Sequence, residues 1–457
     1  MATPLTPVPP PKAPRTSRRR LRVCQQCDLL ITLPALRPRQ QACCPRCGHS
    51  ITVRHNKPAE RSVALALATF ISLLLSLSFP FLGFEIQGIN NHIALTSTVS
   101  SLIGFHQLFV ALCVLLAVIV LPALYLAAVI WLSIGLIRHQ PLPRSRAIAR
   151  SLEHISPWIM ADVFVIGALV SLIKISGMAE ISLGWSFWTF CLYAVLLLMT
   201  TQSIDSDWMW FSLEGEPLAP EGAKVGNNAA TQGLTGCPSC GLVNRINTSG
   251  QGQCRRCGER LHHRIPYSRQ KTVALLIAAV LLYIPANLYP IMTTTTFGNG
   301  APSTIIGGVL LFFHHGDIPV ALVIFIASIV VPIGKILALA WLCYATRSQH
   351  QDAVEVARTK LYRVTEFIGR WSMVDVFVVA ILVSLIHAGN LLSIEPGPAA
   401  LAFAAVVILT MLAAINFDPR LIWDANNVKL ADLATNKRSS HNKDLASLKE
   451  IKEIDHV

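Results

Sequence analysis

Eight of the twelve cysteines fall into two clusters whose spacing suits a metal ion. Cys24 and Cys27 enclose two residues, as do Cys44 and Cys47 sixteen residues further on. Cys237, Cys240, Cys254 and Cys257 repeat the arrangement with thirteen residues between the pairs. Two such knuckles fold four thiolates around one tetrahedral ion, with zinc–sulfur bonds of about 2.3 Å. The first spacing fits the zinc-ribbon pattern, and the second is slightly short for it. Gly48 and Gly258 follow the second knuckles, where a tight turn favours glycine. The reading is two structural Zn2+ sites, since four ligands leave no position open for water. A redox dithiol and a tetrathiolate iron site are the competing readings. Arg46, Arg255 and Arg256, inside the second knuckles, would offset the negative charge of such a centre. Cys43 reads as a bystander, and Cys113, Cys191 and Cys343 as small hydrophobes in apolar runs.

A second set of residues draws notice by where it lies. Ionisable groups at membrane depth are costly and are functional candidates by default. Lys174 ends one apolar run, and Lys335 sits one turn after Pro332 in another. Asp162 and Asp375 each follow a tryptophan, Trp158 and Trp371, by four residues, which puts acid and ring on one helix face. The plainer readings are that Lys174 snorkels to an interface and that Asp162 and Asp375 face a helix first turn or pair with Arg370 or another basic neighbour. Ser328, Ser372, Ser384 and Thr410 are suited to lining a polar path or, more plainly, to bonding neighbouring helices. There is no Walker A loop, GxSxG, HExxH or dinucleotide fingerprint. The chain reads as a non-enzyme.

The elements that must carry these residues follow from composition. The 457 residues are 53% hydrophobic and 14% charged, against about 25% charged in soluble proteins. Mean hydropathy is +0.52. Eight apolar stretches near 62–83, 106–137, 158–175, 183–204, 272–292, 318–343, 372–388 and 398–417 are candidate spanning helices. The second is long enough to need a turn or a bend at Pro122. The formal charge of +13 is unevenly spread. The expected loops at about 138–155 and 344–370 carry nine Lys or Arg, whereas the opposite loops at about 84–105, 176–182, 293–317 and 389–397 carry none. That asymmetry places both termini in the cytosol and argues against nucleic acid as the partner, because a basic membrane-proximal face accounts for the charge.

The chain is also a tandem repeat. Phe79-Pro80 matches Tyr289-Pro290, and Pro122 matches Pro332, both 210 residues apart. Trp158, Asp162 and Phe164 match Trp371, Asp375 and Phe377 at 213. With about four spans in each half, the halves share one orientation. The expected architecture is an all-α polytopic membrane protein: about eight transmembrane helices in two tandem four-helix modules, with two small cytosolic zinc ribbons. The expected boundaries are a disordered basic arm over 1–20, a ribbon over 21–56, a first module over 57–210, a linker over 211–232, a second ribbon over 233–265, a second module over 266–424 and a disordered cytosolic tail over 425–457.

Cys24-Gln-Gln-Cys27-Asp-Leu-Leu-Ile-Thr-Leu-Pro34, Cys44-Pro-Arg-Cys47-Gly48, Gly369-Arg-Trp-Ser-Met-Val-Asp375-Val-Phe377 and Phe417-Asp-Pro-Arg-Leu-Ile-Trp-Asp424 closely resemble the paraquat-inducible protein A family. The likeness runs from about residue 22 to 424. It implies an inner-membrane subunit of a Gram-negative intermembrane lipid-transport system. The implied partners are a periplasmic MCE-domain tunnel protein (PqiB-like), in some systems an outer-membrane lipoprotein, and phospholipid as cargo. By motif match, the family's polar path falls on Lys174, Ser328, Lys335, Ser372, Ser384 and Thr410. The first half departs from that motif: Tyr125 stands at the place of Lys335, and Ser156-Pro157 at that of Gly369-Arg370. The second half therefore reads as the working module. A non-transporting scaffold that anchors and gates the tunnel is the alternative.

Overall fold

The computed structural model describes residues 20–86, 89–104, 107–140, 142–175, 180–247, 250–296, 299–314, 316, 318–346, 352–385 and 392–424. The arm and the tail expected at the two ends lie, but for Arg20, outside the described residues. The chain opens with two hairpins, β1 (Arg20–Val23) with β2 (Leu30–Leu33) and β3 (Gln41–Cys43) with β4 (Ser50–Val53). Each hairpin turn carries one CxxC pair. α1 (Pro58–Ser78) begins on Pro58, where a missing N–H costs nothing. β5 (Leu82–Ile86), β6 (Ile89–Ile93), α2 (Leu95–Gly104), α3 (Leu108–Val114), α4 (Leu121–Ile137), α5 (Ser145–Ile155), α6 (Ala161–Ile175), β7 (Glu180–Leu183), α7 (Trp185–Ser203) and α8 (Ser206–Glu214) follow.

The second half repeats this order. It runs through β8 (Leu234–Gly236), β9 (Val243–Arg245), β10 (Gln251–Gln253), β11 (Arg260–His262), α9 (Ser268–Leu288), β12 (Met292–Thr296) and β13 (Asn299–Ser303). α10 (Ile305–His314), α11 (Ile318–Phe325), α12 (Val331–Ala345), α13 (Asp352–Trp371), α14 (Val374–Leu385), β14 (Leu392–Pro396) and α15 (Pro398–Asn416) complete it. Among the described residues, eight helical stretches are long and apolar enough to cross a bilayer. The protein is an all-α polytopic membrane protein of two four-helix modules, each preceded by a four-cysteine ribbon.

Two features differ from the sequence reading. The basic segments near 138–155 and 344–370, expected as loops, are largely the helices α5 and α13, which lead into the third and seventh spans. α5 buries Ala149 and Leu152 three residues apart, and α13 buries Glu355, Arg358, Thr359, Tyr362 and Thr365 along one stripe. Their charges hide an amphipathic helix pattern. At the opposite end of the modules, segments expected as loops form two three-stranded sheets, ordered β6-β5-β7 and β13-β12-β14. Met292 pairs with both Ser303 and Pro396. A pairing that distant in sequence leaves no local pattern to read.

The long second span resolves at its proline. Leu115–Val120 is a π turn joining α3 to α4, and Ile326–Val330 is its counterpart between α11 and α12. Pro122 and Pro332 follow these turns, because a proline ring crowds the carbonyl four residues earlier and widens the preceding turn. The two modules meet where α6 crosses α14. The rings of Phe164 and Phe377 lie 5.4 Å apart, and a Cβ on Gly167 would fall 3.0 Å from the Phe377 Cβ. Leu67, Ile71 and Leu74 are about half exposed on α1, as the lipid-facing side of a span requires.

Candidate metal centres and a buried lysine

The four sulfurs of each ribbon converge. Sγ of Cys24 and Cys47 are 3.5 Å apart, as are those of Cys27 and Cys44. Cys237 with Cys257, and Cys240 with Cys254, stand at 3.4 Å. All four sulfurs of a cluster lie within 4.8 Å of one another, and all are buried. A tetrahedron with bonds of about 2.3 Å has edges of about 3.8 Å, so each group can hold one metal ion. The turns make this possible. Gly48, Gly241 and Gly258 have φ of 68°, 71° and 74°. Asp28 takes the same left-handed shape at 61°, held by its carboxylate, which accepts from the Ala230 backbone N–H at 2.9 Å.

Facing thiols share protons. Hydrogen bonding led by Cys24 holds Cys44 well below the ordinary thiol range, and bonding led by Cys237 does so for Cys254. Cys27, beside Cys24, and Cys237, beside Cys240, are pushed up. A divalent ion must displace these protons, so acid favours its release. Purified protein is expected to hold two metal equivalents at neutral pH and to lose them as the pH is lowered. Elemental analysis across a pH series checks this; a metal content unchanged by acid would contradict it.

The ribbons are joined to each other and crossed over the modules. Leu21, Val23, Leu30, Ala229, Leu234 and Val243 form one small core shared between them. The second knuckle of the first ribbon docks on the second module: the Arg363 guanidinium on α13 donates to Cys47 Sγ at 3.4 Å and to the Cys47 carbonyl at 3.1 Å. At the 213-residue offset stands Arg150 on α5, 3.8 Å from Glu259 in the second ribbon. Arg46, Arg255 and Arg256 spend their charge elsewhere. Arg46 covers the Trp423 ring at 4.2 Å, Arg255 donates to the Leu218 and Val243 carbonyls, and Arg256 pairs with Glu216 at 3.1 Å. Among the described residues, the cation that reaches a sulfur is thus Arg363, whose link to the knuckle spans modules and is invisible in spacing.

Below the ribbons, Asp418 accepts from the Ile265 N–H at 3.1 Å and pairs with Arg420 at 2.7 Å. Burial would raise its pKa, but the Arg420 hydrogen bonds and charge, the Ile265 N–H and Arg264 outweigh burial and hold it below the usual carboxylate range. The stabilisation is therefore complete above about pH 4 and is lost only as pH falls through the folded value. Asp418→Ala is expected to cost about 3 kcal/mol, read as a lower unfolding midpoint in detergent.

In the second module, Lys335 on α12 is 3% exposed, and its ammonium has no hydrogen-bond partner among the described residues. It lies ten residues before the end of α12, about 15 Å along the helix and so near the middle of a ~30 Å hydrocarbon core. A Cβ on Gly369 would fall 2.7 Å from Nζ and 2.9 Å from Cε. Only glycine leaves the lysine that room. The first half has Tyr125, also buried, and Ser156 at these places, so lysine and glycine come together or not at all. Gly369→Ala is expected to push the ammonium aside and weaken whatever binds it by about tenfold.

The other sequence candidates fall around this point unevenly. Ser372 is buried and donates to the Gly369 carbonyl at 2.8 Å, next to the lysine cradle. Ser328 is buried in the π turn one turn before Pro332, and its carbonyl accepts from the Tyr283 hydroxyl at 3.4 Å. Asp375, 7% exposed at the start of α14, lies within electrostatic reach of Tyr283. Thr410 is buried and bonds the Val407 carbonyl of its own helix. Ser384 meets Thr98 of the first module at 3.1 Å, which places it on the interface between modules. Arg370 is exposed, Asp162 is half-buried in the first turn of α6, and the side chain of Lys174 lies outside the described residues. Gly369, Arg363 and Thr98 are the participants the sequence reading missed as such. The repeat offset linking Arg363 to Arg150 was the available signal for one of them.

Comparison with known proteins bears on this arrangement. The profile described as paraquat-inducible protein A matches residues 59–214 and again 269–427. The chain is 40% identical over 404 residues to the intermembrane transport protein PqiA of Escherichia coli K12, covering 88% of this chain and 95% of that one. It is 30% identical over 403 residues to the lipophilic envelope-spanning tunnel protein A of the same strain, covering 88% and 91%. A probable intermembrane transport protein of Haemophilus influenzae is 30% identical over 407 residues, covering 88% and 95%. No solved structure matches the chain. The tandem membrane module, matched twice and flanked by four-cysteine ribbons, makes this chain a member of the paraquat-inducible protein A family.

Proposed function

We propose that this chain is the inner-membrane subunit of an MCE-type intermembrane lipid-transport system. In this reading it moves phospholipid between the inner membrane and a periplasmic tunnel partner, in some systems with an outer-membrane lipoprotein beyond. The relatives' printed names, intermembrane transport protein and envelope-spanning tunnel protein, support transport between membranes. The positive-inside asymmetry supports cytosolic ribbons and termini. Thiolate ligands in a closed tetrahedral set support zinc over harder ions, with a bracing role.

The observation that carries phospholipid as cargo is the Lys335 ammonium, buried near mid-membrane over Gly369 without a protein partner among the described residues. A buried cation is costly unless something pairs with it, and a phosphate oxygen supplies a charge-assisted hydrogen bond. Ser372, bonded to the Gly369 carbonyl, supplies a hydroxyl oxygen beside the same glycine for the rest of a polar headgroup, and Ser328 is a further candidate on the polar path. Because Ser372, Ser384 and Thr410 bond carbonyls of their own helices, the charge at the site comes from Lys335, with Asp375 close to the same path. Arg370 and Asp162 take supporting positions at helix ends. Phospholipid retained per chain after extraction, measured by mass spectrometry, tests the reading. The wild type is expected to carry it and Lys335→Met to lose it while keeping its metal; equal retention would rule out Lys335 as the headgroup site.

A further inference from the structure

Comparison of the two modules, position by position, exposes a second site. In the first module α1 and α4 are closed against each other. Ser62 and Ser133 share a hydrogen bond of 2.9 Å, and Phe70 and Ile130 pack on the core. At the 210-residue offset, α9 and α12 carry Thr272, Cys343, Val280 and Ala340 instead. The serine pair is gone: Thr272 turns to the Ala413 carbonyl at 3.3 Å. The two bulky residues have shrunk. Between α9 and α12 there is a groove of about 810 Å³, lined by Val273, Ile277 and Val280 on one side and by Ile336, Ala340 and Cys343 on the other.

Charge changes with shape. Arg269 and Gln270 line the ribbon-side mouth of the groove. Their counterparts in the first module are Ala59 and Glu60. The first turn of α1 thus has an acidic residue and that of α9 has none. Arg269 stands in the first turn of α9, where a cation opposes the helix dipole, so helix stability does not explain it; Lys271 has a basic counterpart in Arg61. An apolar slot with a cation at its membrane-surface end matches one molecule in a bilayer: acyl chain below, phosphate above.

We propose that the α9–α12 groove is the side entrance of the second module, a binding site for a glycerophospholipid of the ribbon-side leaflet. The acyl chain lies between Val280 and Ala340, and the phosphate meets Arg269. The proposal rests on the transport reading and deepens it. α12 forms the shared wall, with Ile336 and Ala340 toward the groove and Lys335, the residue preceding Ile336, buried toward α13. A headgroup leaving Arg269 on α9 for Lys335 on α12 passes from the mouth of the groove to the helix that forms its other wall.

A photoreactive benzoylphenylalanine at Ala340, compared with one at Ile130 in the first module and one at Leu337 on the bilayer face of α12, tests this. The probe lipid is a phosphatidylglycerol–phosphatidylethanolamine mixture, with illumination after extraction and washing in detergent. The expected result is a phospholipid adduct at position 340 that is absent at 130 and 337, and about tenfold lower in Arg269→Glu, from loss of a charge-assisted contact. Equal adducts at all three positions, or none at 340, would overturn the groove. In vesicles, Ala340→Trp is expected to slow phospholipid movement while leaving metal content unchanged. A wild-type rate in that variant, with wild-type protein active, removes the groove and leaves the transport reading standing. No movement by wild-type protein with its partner counts against the transport reading itself, whereas the adduct measurement still decides the groove.

Discussion

Lys335→Met is expected to make the protein more stable while emptying its site. Methionine keeps nearly the same length and fits an apolar slot without strain. It also removes the cost of holding an ammonium at membrane depth without a protein partner among the described residues. Replacing a buried ion pair with well-packed apolar side chains can stabilise a protein by about 1–4 kcal/mol; removing a lone buried ammonium acts in the same direction, so the unfolding midpoint in detergent should rise. Polar residues that merely joined helices would behave oppositely, because removing one partner of a buried polar contact destabilises. A fall in the midpoint would therefore favour the scaffold reading. Retention of both metal equivalents guards against misfolding as the cause of any lost lipid. The exchange of stability for function is what a site held ready for an anionic ligand implies.

Gly397→Ala, and its counterpart Gly184→Ala, are expected to prevent assembly of their modules. The two glycines stand 213 residues apart, each at the entry to the last long helix of its half. A Cβ on Gly397 would fall 2.1 Å from the Pro290 carbonyl oxygen, and one on Gly184 2.0 Å from that of Pro80. Both obstructing atoms belong to backbone, which cannot swing aside as a side-chain tip can. The backbone there is also pinned, since the Gly397 N–H donates to the Ile291 carbonyl at 2.9 Å and the Gly184 N–H to that of Phe81 at 3.2 Å. The cost lies at the severe end of single substitutions, roughly 4 kcal/mol or more. Membrane-inserted, metal-loaded protein recovered from each variant is the readout. Normal yields would show that the close approach of helix entry and preceding turn is not required.

Much of this was legible in the chain. The four-cysteine spacings predicted groups that converge, and they do, because two short turns need only local geometry to face each other. The eight spans were legible as runs of apolar residues, and a turn or bend at Pro122 was expected in the second of them, where the structure has a π turn. What escaped has a common cause in distance. The Arg363 contact with Cys47 joins residues in different modules. The β12–β14 pairing joins the two ends of a module. α5 and α13 were hidden because basic residues on their outer faces outweigh a narrow buried stripe. The lysine itself was visible at its depth, but the reason for Gly369 was not, since a glycine announces neither a turn nor a contact until its neighbour is placed. Ser384 shows the converse: its type suited a polar path, and its neighbour Thr98 places it on the interface between modules.

The central claim is that the second module meets phospholipid through Lys335. Transfer of a fluorescent phospholipid out of proteoliposomes, holding this chain with the proposed MCE-domain partner, tests it most directly. Wild type should move lipid, and Lys335→Met, with metal and fold intact, should do so about ten- to a hundredfold more slowly, the range set by one charge-assisted hydrogen bond. Equal rates in the two proteins would contradict the account.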